Sequence, residues 1–360
     1  MHPILFEIPT PWGPLPIYSY GVMLGTSMIL GWSIVMFFGK RERYFADEKR
    51  NDDFLANAFI VCALSAIVGA RVLYMITNPD EFATPADWFA LRRGGLVAYG
   101  GFLGGFLAAI VYVRQMHGVG LLRFSDGAAP ALALGLGLTR IGCYLYGCDF
   151  GARLSDDAPS WLVSIGTFPH WEDNTGSPAW SHHVQEYDLP FDAEHAYPVH
   201  PTQLYESSVG ILLFALCMFV WSRRQFHGQV LLTLTMAYGV WRFLIEYVRD
   251  DPERGAAFGF STSQWISLAL VPLAGFAYFA ELQRWKQKPY KVVKLFDPAP
   301  SPQLATAGGP AVTADDDEDA NGSEEPAKAS DDADKASEAD AKASEDADKA
   351  SSKKGVKKKK

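Results

Sequence analysis

Residues 229–249 read Gln-Val-Leu-Leu-Thr-Leu-Thr-Met-Ala-Tyr-Gly-Val-Trp-Arg-Phe-Leu-Ile-Glu-Tyr-Val-Arg. Thirteen uncharged, mostly apolar positions precede Arg242. A helix crossing a hydrocarbon core about 30 Å thick needs roughly 20 apolar residues, so the stretch predicts a membrane span over 229–248. The charges within it are the informative exception. Tyr238, Arg242, Glu246 and Arg249 are spaced by four, four and three, which places them on one face of a continuous helix. An Arg near mid-bilayer costs about 2.5–3.5 kcal/mol on insertion scales, so it pairs or lines a wet cavity. Two readings are open: a self-neutralised Arg242–Glu246 pair that locks helices together, or an anion site built on the planar guanidinium fork.

Outward from this stretch, six more runs have the same dimensions: about 17–38, 54–76, 95–113, 127–147, 205–222 and 264–281. The expected fold is an all-α integral membrane protein of about seven transmembrane helices. Gly, Ser and Thr within the runs suit close helix packing in lipid. Basic residues set the orientation. Lys40, Arg41, Arg43, Lys49 and Arg50 follow the first span, Arg114 and Arg123 the third, Arg223 and Arg224 the fifth, and Arg284, Lys286, Lys288, Lys291 and Lys294 the seventh. The opposite side has only Arg92, Arg93, Arg153, Arg249 and Arg254. The N-terminus is therefore expected outside and the C-terminus in the cytoplasm, with 148–204 as a small extracytoplasmic cap. Residues 1–16 have no basic region of the kind that opens a cleaved signal peptide, so none is expected.

A pI of 5.4 and a mean hydropathy of 0.00 would describe an ordinary acidic soluble chain, but they average two unlike materials. Residues 315–360 carry fifteen acidic side chains and ten lysines, a net of −5, which leaves −4 of the total −9 on residues 1–314. The expected division is a membrane domain over 1–296 and a low-complexity tail over 297–360. In the tail, Lys-Ala-Ser recurs at 328, 335, 342 and 349. No large apolar residue marks a heptad seam, so a disordered cytoplasmic tail is expected rather than a coiled coil. Its closing lysines suit anionic lipid or simple solubilisation, and no nucleic-acid partner is expected.

A second charged helix end reads Gly135-Leu-Gly137-Leu-Thr-Arg140-Ile-Gly142-Cys143-Tyr-Leu-Tyr146-Gly147-Cys148-Asp149. Arg140 either snorkels to the interface or binds an anion. Cys143 and Cys148, five apart, do not share a helical face. They are read as packing thiols, with a disulfide open to them only if the helix breaks near Gly147. Cys62 and Cys217, in apolar runs, are also packing residues. The glycine run from Gly94 to Gly105, including Gly100 and Gly101, is either a helix-packing surface or a place where backbone amides face a phosphate. His200, in His200-Pro-Thr-Gln-Leu-Tyr-Glu206, is either a proton acceptor or part of a helix start.

Together these segments resemble the prolipoprotein diacylglyceryl transferase family. The resemblance covers about residues 17–285. It rests most on Arg140-Ile-Gly142, on His200-Pro-Thr-Gln-Leu-Tyr-Glu206 and on Tyr238…Arg242…Glu246…Arg249, with Tyr20-Gly21, Gly69-Ala-Arg71 and the glycine run in support. It implies an enzyme of the bacterial inner membrane acting on phosphatidylglycerol. Such an enzyme transfers the diacylglyceryl group to the lipobox cysteine thiol of prolipoprotein signal peptides, forming a thioether and releasing glycerol phosphate. This is the first step of lipoprotein maturation. By the same resemblance Arg140 and Arg242 hold the lipid phosphate, Glu246 orients Arg242, and Tyr20 and Tyr238 line the lipid site. Gly100, Gly101, Gly142 and Arg249 are counted with the substrate-binding residues. No metal or cofactor is implied. Many members carry His where this chain has Tyr99, so the proton acceptor is Tyr99, His200 or another group. A phenol, with a reference pKa near 10, is a poor base at neutral pH unless an arginine assists it. A transporter would also need intramembrane charge, but the halves of this chain are not self-similar. A scaffold presenting the tail would leave the converging polar groups unexplained.

Overall fold

A computed structural model describes residues 3–11, 13–82, 88, 95, 97–116, 118–171, 176–249, 256–257 and 259–297. All of the expected tail after Asp297, and Arg92, Arg93, Gly94 and Arg254, lie outside these residues. Long helices occupy all seven apolar stretches: α1 (Ser19–Glu42), α2 (Glu48–Thr77), α3 (Ala98–Gln115), α4 (Leu121–Tyr146), then, after two short helices, α7 (Thr202–Arg223), α8 (Gln229–Ile245) and α9 (Thr262–Gln287). Among the described residues five of them, α1, α2, α4, α7 and α9, are long and apolar enough to cross a membrane. The chain is a multi-pass helical membrane protein.

The helices run past their apolar stretches because polar residues finish them. Asp47 accepts from the Arg50 amide and starts α2 before its apolar run. Ser261 and Gln264 form a reciprocal capping box at the start of α9. Two features depart from an all-α expectation. Strands β1 (Ile4–Thr10) and β2 (Gly13–Tyr18) form an antiparallel hairpin leading directly into α1, and β3 (Ala256–Ala257) pairs with β4 (Phe260–Ser261) before α9. Prolines 9, 14 and 16 mask the strand pattern, yet an isolated hairpin tolerates them because both of its strands are edges.

Small residues set the helix seams. A side chain on Gly69, Gly100 or Gly104 would meet the backbone of the facing helix, so α2 and α3 pack main chain to main chain. Gly210 of α7 lies so close to Gly137 of α4 that a Cβ there would sit 2.5 Å from the Gly137 nitrogen. Lipid tails offer helices no apolar advantage over each other, so such close approach contributes most of the association.

Between α4 and α7, residues 148–201 fold over one end of the bundle. They include α5 (Ser160–Gly166) and α6 (Pro178–Glu186), the latter capped by Ser177. Phe168, Ala179, Trp180, Leu189, Ala196 and Val199 form a separate small core. A single bridge from Gly151 to Arg249 stitches the segment to the chain after α8, and one from Arg153 to Val199 ties its two ends together.

At the opposite end lies a buried ionic cluster, two of whose members, Arg123 and Arg224, the sequence reading counts only as orienting loop charges. Arg224, fully buried, bonds Asp126 at 3.2 Å, contacts Glu42, donates to the Val293 carbonyl and covers the Trp221 ring. Arg123 pairs with Glu42 at 2.8 Å. Asp126 also accepts from the amides of Gly228, Val230 and Leu231, capping α8 from another helix. Arg123 and Arg224 are thus structural ion-pair members, not free loop charges.

Candidate active site

The site begins where α4 stops. Gly147 adopts φ 87°, a left-handed conformation that a side chain resists, and its amide bonds the Cys143 carbonyl at 2.8 Å. The chain reverses there and lays Cys148 and Asp149 beside the last turn of α4. The start of α7 holds this reversal: Thr202 Oγ1 donates to the Asp149 carbonyl (2.8 Å) and Gln203 Nε2 to the Cys148 carbonyl (2.6 Å). One turn further, Glu206 is 1% exposed.

These elements close a four-membered ring of charge. Arg140 Nη1 lies 3.0 Å from Asp149 Oδ2, and Asp149 Oδ1 lies 2.7 Å from Arg249 Nη2. Arg249 Nη1 lies 3.5 Å from Glu206 Oε1, and Glu206 Oε2 contacts Arg140 Nε. Two guanidiniums and two carboxylates cancel formally, which is what makes their burial tolerable. Arg140 keeps Nη2 outside the ring: among the described residues none accepts from it.

A second chain of contacts approaches from α8. Arg242 Nη1 meets Glu246 Oε2 at 2.5 Å, and Nη2 donates to Ser263 Oγ at 2.8 Å. Ser263, in the first turn of α9, shares a 2.9 Å hydrogen bond with the Tyr99 hydroxyl on α3. Tyr238 lies one turn before Arg242 on α8. Tyr20, at the start of α1, packs against the last turns of α4. Gly142 makes room for it, since a Cβ there would meet Tyr20 at 3.1 Å. Arg140, Arg242, Glu246, Tyr20, Tyr99 and Tyr238 are therefore gathered at one end of the bundle.

Other predicted residues stand elsewhere. Arg249 does not continue the stripe of α8: the helix ends at Ile245, residues 246–248 form a tighter turn, and Arg249 is extended. The turn moves it from the Arg242 group to the Arg140 ring. Gly100 lies in the seam with α2, and a Cβ added to Gly101 would make only ordinary contact with Ala66 and Ala70. His200 sits between the cap and α7, with Nδ1 3.4 Å from the Tyr205 hydroxyl and its backbone paired to Gly151 and Ala152. Burial pushes His200 below the ordinary histidine value, keeping it neutral at pH 7. The sequence reading assigned no role to Asp149, Glu206 or Ser263. Glu206 was findable, because a carboxylate inside the apolar run after Thr202 carries the same signal as Arg242.

The architecture defines a class: a helical membrane protein with two guanidinium groups and aromatic hydroxyls converging at one end. Residues 3–280 match the family model described as prolipoprotein diacylglyceryl transferase, and the chain belongs to that family. It is 32% identical over 292 residues to the phosphatidylglycerol–prolipoprotein diacylglyceryl transferase of Neisseria gonorrhoeae strain NCCP11945, covering 77% of this chain and 95% of that protein. The same-named protein of Clostridium tetani is 29% identical, covering 77% and 97%. A protein of Clostridium perfringens named as a second such transferase is 30% identical, covering 71% and 88%.

Proposed function

We propose that this chain transfers the diacylglyceryl group of phosphatidylglycerol to the lipobox cysteine of a prolipoprotein in a bacterial inner membrane. The observation that carries the reading is the short segment 246–249: Glu246 pairs with Arg242, and Arg249 shares Asp149 and Glu206 with Arg140. That segment supports reading both guanidiniums as serving one anionic headgroup. The substrate thiol sulfur attacks the glycerol carbon bearing the phosphate and forms the thioether. The carbon–oxygen bond breaks, and its electron pair leaves with glycerol phosphate. Arg140 Nη2 and the Arg242 fork stabilise the charge gathering on that oxygen, from side chains largely withdrawn from solvent. Glu246 and Ser263 fix the plane of Arg242. Tyr99, tied through Ser263 to Arg242, and His200 are the two candidates for the thiol proton.

In this reading seven helices cross the membrane, with the Arg140 end and its cap facing outward. α3 and α8 are the short members, at 18 and 17 residues. At 1.5 Å per residue they reach about 27 and 25 Å, enough for a bilayer that thins slightly around the site. The tail over 297–360 lies in the cytoplasm.

The test mixes purified protein with phosphatidylglycerol vesicles and a lipobox peptide and follows the peptide by mass spectrometry. A diacylglyceryl mass gain that Arg242→Ala abolishes is expected. No gain, where a Neisseria relative modifies the same peptide, refutes the function. Tyr99→Phe and His200→Ala, run side by side, assign the proton: the variant with the larger loss of turnover and a flattened pH profile marks the acceptor.

A further inference from the structure

The thiols of Cys143 and Cys148 take no part in the transfer step, in which the substrate supplies the sulfur. On an unbroken helix, residues five apart point away from each other. The left-handed Gly147 removes that obstacle: the sulfurs of Cys143 and Cys148 and an Asp149 carboxylate oxygen all lie within 4.8 Å of one another. Both cysteines are free thiols, and Cys148 Sγ lies 3.8 Å from the Cys143 carbonyl oxygen and 3.7 Å from Asp149 Oδ2. Cys148 is partly exposed while Cys143 is 6% exposed. Arg140 Nη1 stands 3.9 Å from Cys143 Sγ.

Such a trio suggests either a cation site or a crosslink. Asp149 decides between them. Both of its oxygens are held by guanidiniums, so a cation would have to displace Arg140 or Arg249 and stand beside positive charge. A disulfide asks for no change in charge and leaves the ring intact.

We infer that Cys143 and Cys148 form a reversible disulfide, an oxidative modification site on the reversal that carries Asp149 into the arginine ring. The oxidant is a small disulfide or a thiol–disulfide exchange protein. The accessible Cys148 thiolate attacks one oxidant sulfur and expels the other as a thiolate. Cys143 then attacks Cys148 Sγ, and the second oxidant thiolate leaves. The negative charge on Cys143 during this step lies next to Arg140. Two protons pass to the two released thiols, and the protein loses two electrons to the oxidant. Closure tethers residue 148 to α4 and so anchors the Asp149 backbone against both arginines.

The test treats the full-length protein in detergent with oxidised glutathione, alkylates it under denaturing conditions and maps the peptides. The expected product is a 143–148 peptide about 2 Da lighter than its reduced form, unreactive to alkylation and restored by dithiothreitol. Cys62 and Cys217 should still alkylate. Oxidation should also raise the thermal midpoint of the wild type and leave that of Cys148→Ser unmoved. A stable glutathione adduct on Cys148 without closure, crosslinks to Cys62 or Cys217, or an equal midpoint shift in Cys148→Ser would each overturn the inference.

Discussion

Glu206→Gln isolates the arginine ring from the chemistry around it. The replacement keeps the shape of the side chain and removes one of two negative charges that hold Arg140 and Arg249. Glu206 and Arg249 are each 1% exposed at their side chains, so water cannot replace the lost partner. Removing one member of a buried ion pair costs about 3–5 kcal/mol. One of the two Glu206 contacts is already long, at 3.5 Å, and glutamine still accepts one hydrogen bond. The low end is therefore expected, about 3 kcal/mol. At about 2–4 °C per kcal/mol for a chain of this order, the midpoint should fall by about 6–12 °C. A fluorogenic maleimide under reducing conditions reads the transition, because Cys217 is 1% exposed when folded. The decisive comparison adds Arg249→Gln. The double variant leaves Arg140 facing Asp149, neutral again, and should recover roughly 1–3 kcal/mol relative to the sum of the single losses. Strict additivity, or a drop below about 2 °C for Glu206→Gln, would show that the four groups do not act as one unit.

Arg242→Lys should lower kcat about 10- to 100-fold with little change in folding, because an ammonium cannot hold Glu246 and Ser263 in one plane; turnover of the lipobox peptide checks it. Gly104→Val should separate α2 from α3 and lower the thermal midpoint, since its Cβ would fall inside the Ser65 carbonyl. Gly135→Ala, with nothing within 4 Å, should leave the midpoint level or raise it by up to about 1 kcal/mol equivalent. His200 is pushed down from 6.5 by burial, so the unfolded chain takes up its proton first. Its stability contribution should be intact above pH 6.5 and decline as pH falls below that value, and His200→Gln should shallow the fall of the midpoint between pH 7.5 and 5.

The membrane helices were legible because hydrocarbon thickness demands a length of apolar sequence that no other structure needs. Their ends were not. Asp47 and Ser261 extend α2 and α9 through hydrogen bonds invisible to hydropathy. Arg140 and Arg242 announce themselves as charges in the wrong solvent, and each is found paired: Arg140 with Asp149 and Glu206, Arg242 with Glu246 and Ser263. Arg249 was misplaced on the α8 face because a tightening of one turn after Ile245 leaves no mark in residue spacing. Ser263 escaped notice for another reason: a serine in an apolar helix has many ordinary uses, and only its distance to Arg242 and Tyr99 distinguishes it.

The buried cluster of Glu42, Arg123, Asp126 and Arg224 imposes an order on biogenesis. Arg224 is made 98 residues after Asp126 and 182 after Glu42. Through that interval the growing chain must shelter two carboxylates at a membrane border. Arg123, made before Asp126, serves Glu42 in the meantime. The later guanidinium then arrives with the end of α7 and ties it to α1 and α4.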